Sequence, residues 1–153
     1  MQKPKAFIGI DPGATGAAVL ISETGVDFFD WEGVRKFADE VRQWNCDYNI
    51  GMVILEAVHS RPGEGVSSVF KFGTTWGMIQ GVLTCAKIPY TLLTPQAWQK
   101  GLVMPTDGAD SKERSLTVAR RMFPAIDWIG RKKDHNRSDA LLMAHVCRQR
   151  FSF

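Results

Sequence analysis

The chain has 153 residues, 44% of them hydrophobic and 23% charged, and a formal net charge of +3. Such a length and composition suit one folded domain with its own core, and they exclude a disordered chain or a repeat array. The weak positive balance permits a nucleic-acid partner without requiring one, because the placement of charge matters more than its sum.

Residues 5–10 form an apolar run containing Phe7 and Ile8 and are expected to be a buried strand. Turn chemistry follows in Asp11-Pro12-Gly13-Ala14-Thr15-Gly16, then strands over 17–22 and 26–31, which together predict an antiparallel meander. Val34, Phe37, Val41 and Trp44 recur at helical spacing and predict an amphipathic helix over 33–44 that returns across the sheet. Residues 51–57 (Gly-Met-Val-Ile-Leu-Glu-Ala) read as a fourth, central strand. A glycine-rich loop leads into a long helix over 66–86, and 90–93 is a short fifth strand before Pro95. Helices are expected over 95–100, 111–122 and 137–150. The whole is an α/β fold with a mixed five-stranded sheet flanked by helices.

The three cysteines (Cys46, Cys85, Cys147) are widely spaced and form no Cys-x-x-Cys pair. They predict neither a disulfide framework nor a zinc site but free thiols, buried or half-buried, in a reducing compartment. No apolar run approaches the ~20 residues of a membrane span, so a cytoplasmic protein with no membrane partner is expected.

Two carboxylates interrupt strands that are otherwise apolar. Asp11 closes the first strand, and Glu56 sits near the end of the fourth. Burying a carboxylate there is costly unless it is paired, hydrogen-bonded or bound to a metal. A third candidate lies in the last helix, where His135 and Asp139 are four apart, and Leu142 and Val146 carry their face inward. Three buried acids and one histidine are a donor set for hard divalent cations, Mg²⁺ or Mn²⁺, rather than zinc. Two such ions ~4 Å apart serve in-line displacement at a phosphodiester. For His135 the plain alternative is a first-turn residue that interacts only with its own helix end.

In order along the chain, these segments resemble the motifs of RuvC-type Holliday-junction resolvases, members of the RNase H-like superfamily. Phe7-Ile8-Gly9-Ile10-Asp11-Pro12-Gly13 is similar to the first motif and Val53-Ile54-Leu55-Glu56 to the second. The 67–73 segment, with Gly77 and Gly81 beyond it, resembles the start of the family's central helix. Thr94-Pro95-Gln96-Ala97-Trp98 and Ser111-Lys112-Glu113 fall in family order, and Lys133 to Leu141 resembles the C-terminal motif of phage and plastid-type members. The resemblance covers about residues 6–147.

It implies an RNase H-like nuclease domain over 1–153, a homodimer, and paired nicks across a four-way junction that leave 5′-phosphate and 3′-hydroxyl ends. This is the activity of a crossover junction endodeoxyribonuclease working with two Mg²⁺ (or Mn²⁺) ions. Asp11, Glu56 and Asp139 are implied as catalytic metal ligands. At the fourth position, where bacterial members often carry an acid, stands Asn136, a poor ligand. His135 is the candidate instead, with Asp134 as the runner-up.

For DNA contact, the 58–65 loop with Arg61 follows Glu56 directly, and Phe70 or Phe72 could stack on an unpaired base. Phe72 is the better core residue of the two. Lys71, Lys112, Arg114, Arg131, Lys132, Lys133 and Arg137 are candidate phosphate contacts, against the alternative of a solvated charged face. Gly73, Gly77 and Gly81 make a stripe that close packing inside the chain would explain, or a second copy of the helix. Three rival readings remain. One is a nuclease acting on RNA or an RNA–DNA hybrid, and another a non-catalytic nucleic-acid-binding module. The third is a sugar-kinase or actin-like ATPase, whose phosphate loop also reads Asp-x-Gly-x-Thr-Gly but which needs a second such domain.

Overall fold

The computed structural model describes residues 1–152, and Phe153, the last residue of the expected domain, lies outside them. The strands β1 (Lys5–Asp11), β2 (Ala17–Ser22) and β3 (Gly25–Asp30) form the expected antiparallel meander. They are followed by α1 (Val34–Asp47), β4 (Asn49–Glu56), α2 (Val66–Cys85), β5 (Tyr90–Leu93), α3 (Pro95–Gln99), α4 (Ser111–Met122) and α5 (His135–Phe151). The sheet order is β3-β2-β1-β4-β5, with β4 parallel to β1 and β5 parallel to β4. This is the mixed five-stranded α/β sheet that the sequence pattern predicts.

Strand alternation sorts the residues of β1 onto two cores. Ala6, Ile8 and Ile10 pack with Phe37, Val41 and Trp44 of α1 and with Ile79 and Leu83 of α2. Phe7 faces the other way, into a core shared with Ile54 and with Ala140, Leu141 and Ala144 of α5. Burial on both faces is why β1 and β4 are nearly continuous apolar runs. Gly9 is on the α5 side, and a Cβ there would collide with the main-chain oxygen of Ala140 and the nitrogen of Ala144. Glycine at this position lets α5 lie directly on the central strand, which decides where Asp139 ends up.

Local signals fix the helix starts. Thr94 accepts a hydrogen bond from Ala97 N at 3.2 Å with Pro95 in the first turn of α3. Asp110 caps α4 by accepting from Glu113 N at 2.9 Å.

Several expectations need correction. α5 begins at His135 rather than 137, because the preceding 3₁₀ turn Lys132–Asp134 runs straight into it. The glycine stripe of α2 does not serve packing inside the chain: a Cβ at Gly73, Gly77 or Gly81 would meet nothing within 4 Å. Only Ile79 and Leu83 of that helix are buried. All three cysteines are free, but Cys46 and Cys85 are exposed, and only Cys147 is buried, its thiol pushed up to about 12 by that burial. Among the described residues no helix is long and apolar enough to cross a membrane.

Candidate active site

Ile10 pairs with Leu55 in the parallel β1–β4 ladder, so Asp11 and Glu56 follow each other at the carboxyl ends of adjacent strands. Open α/β sheets bind ligands at that edge. Alternation also sets their direction. Asp11 shares the α5-facing side with Phe7 and Gly9, and Glu56 shares it with Ile54. Asp139 precedes Ala140, the residue whose main chain rests on Gly9. Three elements thus deliver three carboxylates to one corner of the sheet.

Their electrostatics bear out the proximity. The Asp11 carboxyl is raised well above the usual range, first by burial and then by the charges of Asp139 and Glu56. Asp139 is raised to about 7 by burial, with Glu56 adding to the rise and a hydrogen bond from Ser115 opposing it. Glu56 is raised by burial, opposed by the Trp98 indole, whose Nε1–H donates to Oε2 at 2.8 Å. Like charges in a desolvated corner are costly, and the group sheds that cost by holding protons or by meeting a cation.

Among the described residues no three His, Cys, Asp or Glu side chains stand together as a finished coordination shell. The donor set nonetheless fits a hard cation. All three groups offer carboxylate oxygens, and Asp139 Oδ1 is buried with no hydrogen-bond partner.

The structure separates the candidates around α5. His135 is half-buried at the helix start, with Nδ1 3.3 Å from Lys132 O. Since a carbonyl can only accept, Nδ1 is the donor in that contact. Asp134, the runner-up, is 4% exposed and engaged elsewhere, taking Arg131 N at 2.9 Å and Arg131 Nη2 at 3.1 Å. Burial would raise its carboxyl, but the Arg131 hydrogen bonds and the charges of Arg131 and Arg137 hold it below the ordinary range. Asn136 donates from Nδ2 to Thr15 O and to Thr15 Oγ1 at 2.9 Å, tying α5 to the β1–β2 turn.

Arg137 is not a free phosphate contact. Its guanidinium grips Asp30 with two bonds, Nε–Oδ1 at 2.9 Å and Nη2–Oδ2 at 2.7 Å. Nη1 donates to Trp128 O at 3.0 Å, and the group lies 4.6 Å over the Phe28 ring. These contacts join α5 to β3 and to the segment before the 3₁₀ turn. We therefore expect Arg137→Ala to lower stability by about 2–3 kcal/mol, read as a lower urea midpoint at unchanged slope.

A cleft of about 500 Å³ opens beside Asp11 and Glu56 and is lined by them and by His59, Arg61, Phe72 and Gln96 among others, but not by Asp139 or His135. The loop before α2 is folded on itself, Glu64 N donating to Arg61 O at 3.1 Å and Arg61 N to Glu64 Oε2 at 3.1 Å. Phe72, expected in the core, instead lines this cleft, its ring against Gly13. Phe70 is 75% exposed beside the exposed Lys71. On the other side of the β1–β2 turn, a smaller depression of about 240 Å³ is lined by Thr15, Arg131, Lys133 and Asn136. Lys112, Arg131, Lys132 and Lys133 are exposed. Trp76, Trp98 and Ser115, which support the acids, carry no sequence signal that marks them for this role.

No family sequence model matches the chain, and no curated protein sequence does. Solved structures do resemble it. The Thermus thermophilus RuvC in complex with Holliday junction substrate superposes with a TM-score of 0.65 at 16% identity, covering 97% of this chain and 96% of that one. A second Thermus thermophilus RuvC structure gives 0.60 at 20% identity, over 95% of both chains. The yeast mitochondrial Holliday junction resolvase Ydc2 gives 0.57 at 15% identity, over 95% of this chain and 78% of that one. Over nearly its whole length, the chain thus has the RNase H-like α/β fold of RuvC-type resolvase structures.

Proposed function

We propose that this chain is a metal-dependent endonuclease, one nuclease domain over residues 1–153, that resolves four-way (Holliday) or branched DNA junctions. The observation that carries the reading is the corner formed by Asp11, Glu56 and Asp139, where burial raises all three carboxyls and neighbouring acid charge raises Asp11 and Asp139 further. A protein that only bound nucleic acid would gain nothing from uncompensated negative charge set beside phosphates. The fold that carries this corner is the fold of structures named as resolvases, one of them in complex with a Holliday junction.

Asp11, Glu56 and Asp139 are the residues that would hold Mg²⁺ or Mn²⁺ ions, two per site, with His135 at the fourth position. Bound there, such ions supply an activated water and neutralise charge at the scissile phosphate. The chain's own groups do the rest. The acids hold their side of the site negative and desolvated, so a dication is favoured and bulk water is kept out. His135 has one of two roles: it ligates the second ion, or, unligated, it accepts the proton of the attacking water. The water oxygen bonds to phosphorus as the P–O3′ bond breaks, and the departing O3′ takes a proton from solvent, leaving a 5′-phosphate and a 3′-hydroxyl. Arg61 borders the cleft, and Lys71, Lys112, Lys132 and Lys133 are exposed cations suited to flanking phosphates, whereas the exposed Arg131 is held by Asp134.

Phe70 is exposed on the first turns of α2 and suits stacking on a base at the crossover. Phe70→Ala should reduce junction cleavage by roughly 5- to 100-fold, the worth of one base stack, with no loss of thermal stability. The open glycine stripe of α2, with Met78 42% exposed, suits a second copy of the helix in a homodimer. Sedimentation equilibrium tests it.

The test of the function is cleavage of a labelled synthetic four-way junction, a duplex and an RNA–DNA hybrid, each with Mg²⁺ and with chelator. Paired symmetric nicks in the junction alone, and only with metal, support the reading. Cleavage confined to the hybrid overturns it in favour of an RNA-directed nuclease. Junction binding without cleavage of any substrate leaves a binding module.

A further inference from the structure

The two indole N–H groups nearest the site both end on one residue. Trp98 Nε1–H donates to Glu56 Oε2 at 2.8 Å, and Trp76 Nε1–H donates to the main-chain oxygen of Glu56 at 3.2 Å. One comes from α3 and the other from α2, so side chain and backbone of a single glutamate are held from opposite elements. Neither Asp11 nor Asp139 is held by an indole.

We propose that Trp98 is the positioning residue of the site: it fixes the Glu56 side chain by one oxygen and leaves the other for a divalent cation. The proposal rests on the nuclease reading for its biological purpose, but the positioning itself concerns only cation binding. Three features support it.

The first is the chemistry of the donor. An indole N–H is neutral, donates only, and does not titrate. An arginine or lysine in its place would cancel the charge that a cation needs, and a hydroxyl or histidine could rotate or change its proton. Indole orients the carboxylate and leaves its charge intact. In keeping with this, its hydrogen bond opposes the rise that burial imposes on the Glu56 carboxyl.

The second is rigidity. Trp98 is 1% exposed, within the core that includes Ile54, Ala140 and Leu141. Its short helix is pinned at Ala97, the residue before Trp98, whose N donates to the Thr94 cap and whose O accepts from Arg150 Nη2 at 2.9 Å. A donor packed this way does not follow the glutamate; the glutamate follows it.

The third is the state of the site. No three ligating groups converge among the described residues, and Glu56 Oε2 is the one carboxylate oxygen of the three that an indole holds. A carboxylate limited to one free oxygen offers a cation a single ligand in a set direction. Outer-shell hydrogen bonds of this kind typically change metal affinity or activity by ~10- to 100-fold when removed.

The test is the Mn²⁺ affinity of the protein, read by electron paramagnetic resonance after chelator treatment, together with junction cleavage. Trp98→Phe keeps an aromatic ring and deletes the donor. A second variant carries benzothienylalanine at position 98, which keeps the bicyclic shape and puts sulfur in place of the N–H, so that a packing defect is separated from the lost bond. Both should weaken Mn²⁺ by about 10-fold or more and lower kcat with little change in KM for the junction. In a Glu56→Gln background the same replacements should have no further effect on Mn²⁺.

Wild-type Mn²⁺ affinity in the benzothienylalanine variant overturns the positioning role while the nuclease reading stands. If the wild type cuts no nucleic acid but its Mn²⁺ binding is still weakened by that variant, the positioning role is upheld and the nuclease reading falls. A wild type that binds no Mn²⁺ overturns both.

Discussion

Asp11→Asn should lower the single-turnover rate of junction cleavage by at least ~10³-fold while junction binding, read by gel shift in Ca²⁺, stays within a few-fold. The magnitude follows from the role: a metal acting as Lewis acid supplies several kcal/mol of transition-state stabilisation, and each ~1.4 kcal/mol is a factor of ten. The amide has nearly the shape of the acid and removes only the charge. Asp11 is the most exacting position for that change because its carboxyl feels both partners, Asp139 and Glu56, on top of its burial. Removing its charge also relieves their repulsion, so without metal the variant should melt no lower than the wild type. A variant that loses activity because it unfolds would melt lower. Cleavage within tenfold of the wild type would take Asp11 out of the chemistry. Asp139→Asn should behave the same way, since Asp139 Oδ1 is buried without a protein partner and any compensation must come from a cation.

These acids could be found in the sequence because they are anomalies. A charge at the end of Phe7-Ile8-Gly9-Ile10 or Val53-Ile54-Leu55 breaks a pattern that burial otherwise enforces, and period-two alternation then fixes its face. Strands and helices were legible for the same reason, whereas the Thr94 and Asp110 caps that start α3 and α4 came from the structure. What the pattern does not carry is pairing across distance. Arg137 and Asp30 are 107 positions apart, and nothing local distinguishes an arginine gripping a strand from one reaching for phosphate. Trp98 and Glu56 are 42 apart, and a tryptophan in a five-residue helix reads only as core. Helical spacing likewise could not tell that the α2 stripe faces open space, or that Phe72 turns to the cleft while Phe70 turns to solvent. Periodicity gives a face relative to the helix axis; which face meets the sheet depends on how the whole helix docks.

The same carboxylates make the stability of the metal-free protein depend on pH in an unusual direction. In the unfolded chain Asp and Glu titrate near ~4. In the folded protein Asp139 titrates at about 7, and Asp11 and Glu56 are also raised. Between those values the folded state binds more protons than the unfolded one, so stability falls as pH rises through that window. Asp134 contributes in the opposite sense, because its carboxyl is lowered by the Arg131 contacts, and its contribution is lost only below about pH 4. In chelator, the melting temperature should therefore drop between pH 5 and pH 7.5, by an amount reflecting a few kcal/mol. Mg²⁺ should reverse the drop, since a cation binds the deprotonated cluster. At 100 times its dissociation constant a ligand adds ~2.7 kcal/mol, and that gain should grow with pH across the same window. Asp139→Asn should flatten both the drop and the metal response. A melting temperature in chelator that is level or rising from pH 5 to 7.5, with no Mg²⁺ shift at the upper end, would mean that the three carboxylates neither repel one another nor receive a cation, and the site would have to be sought elsewhere.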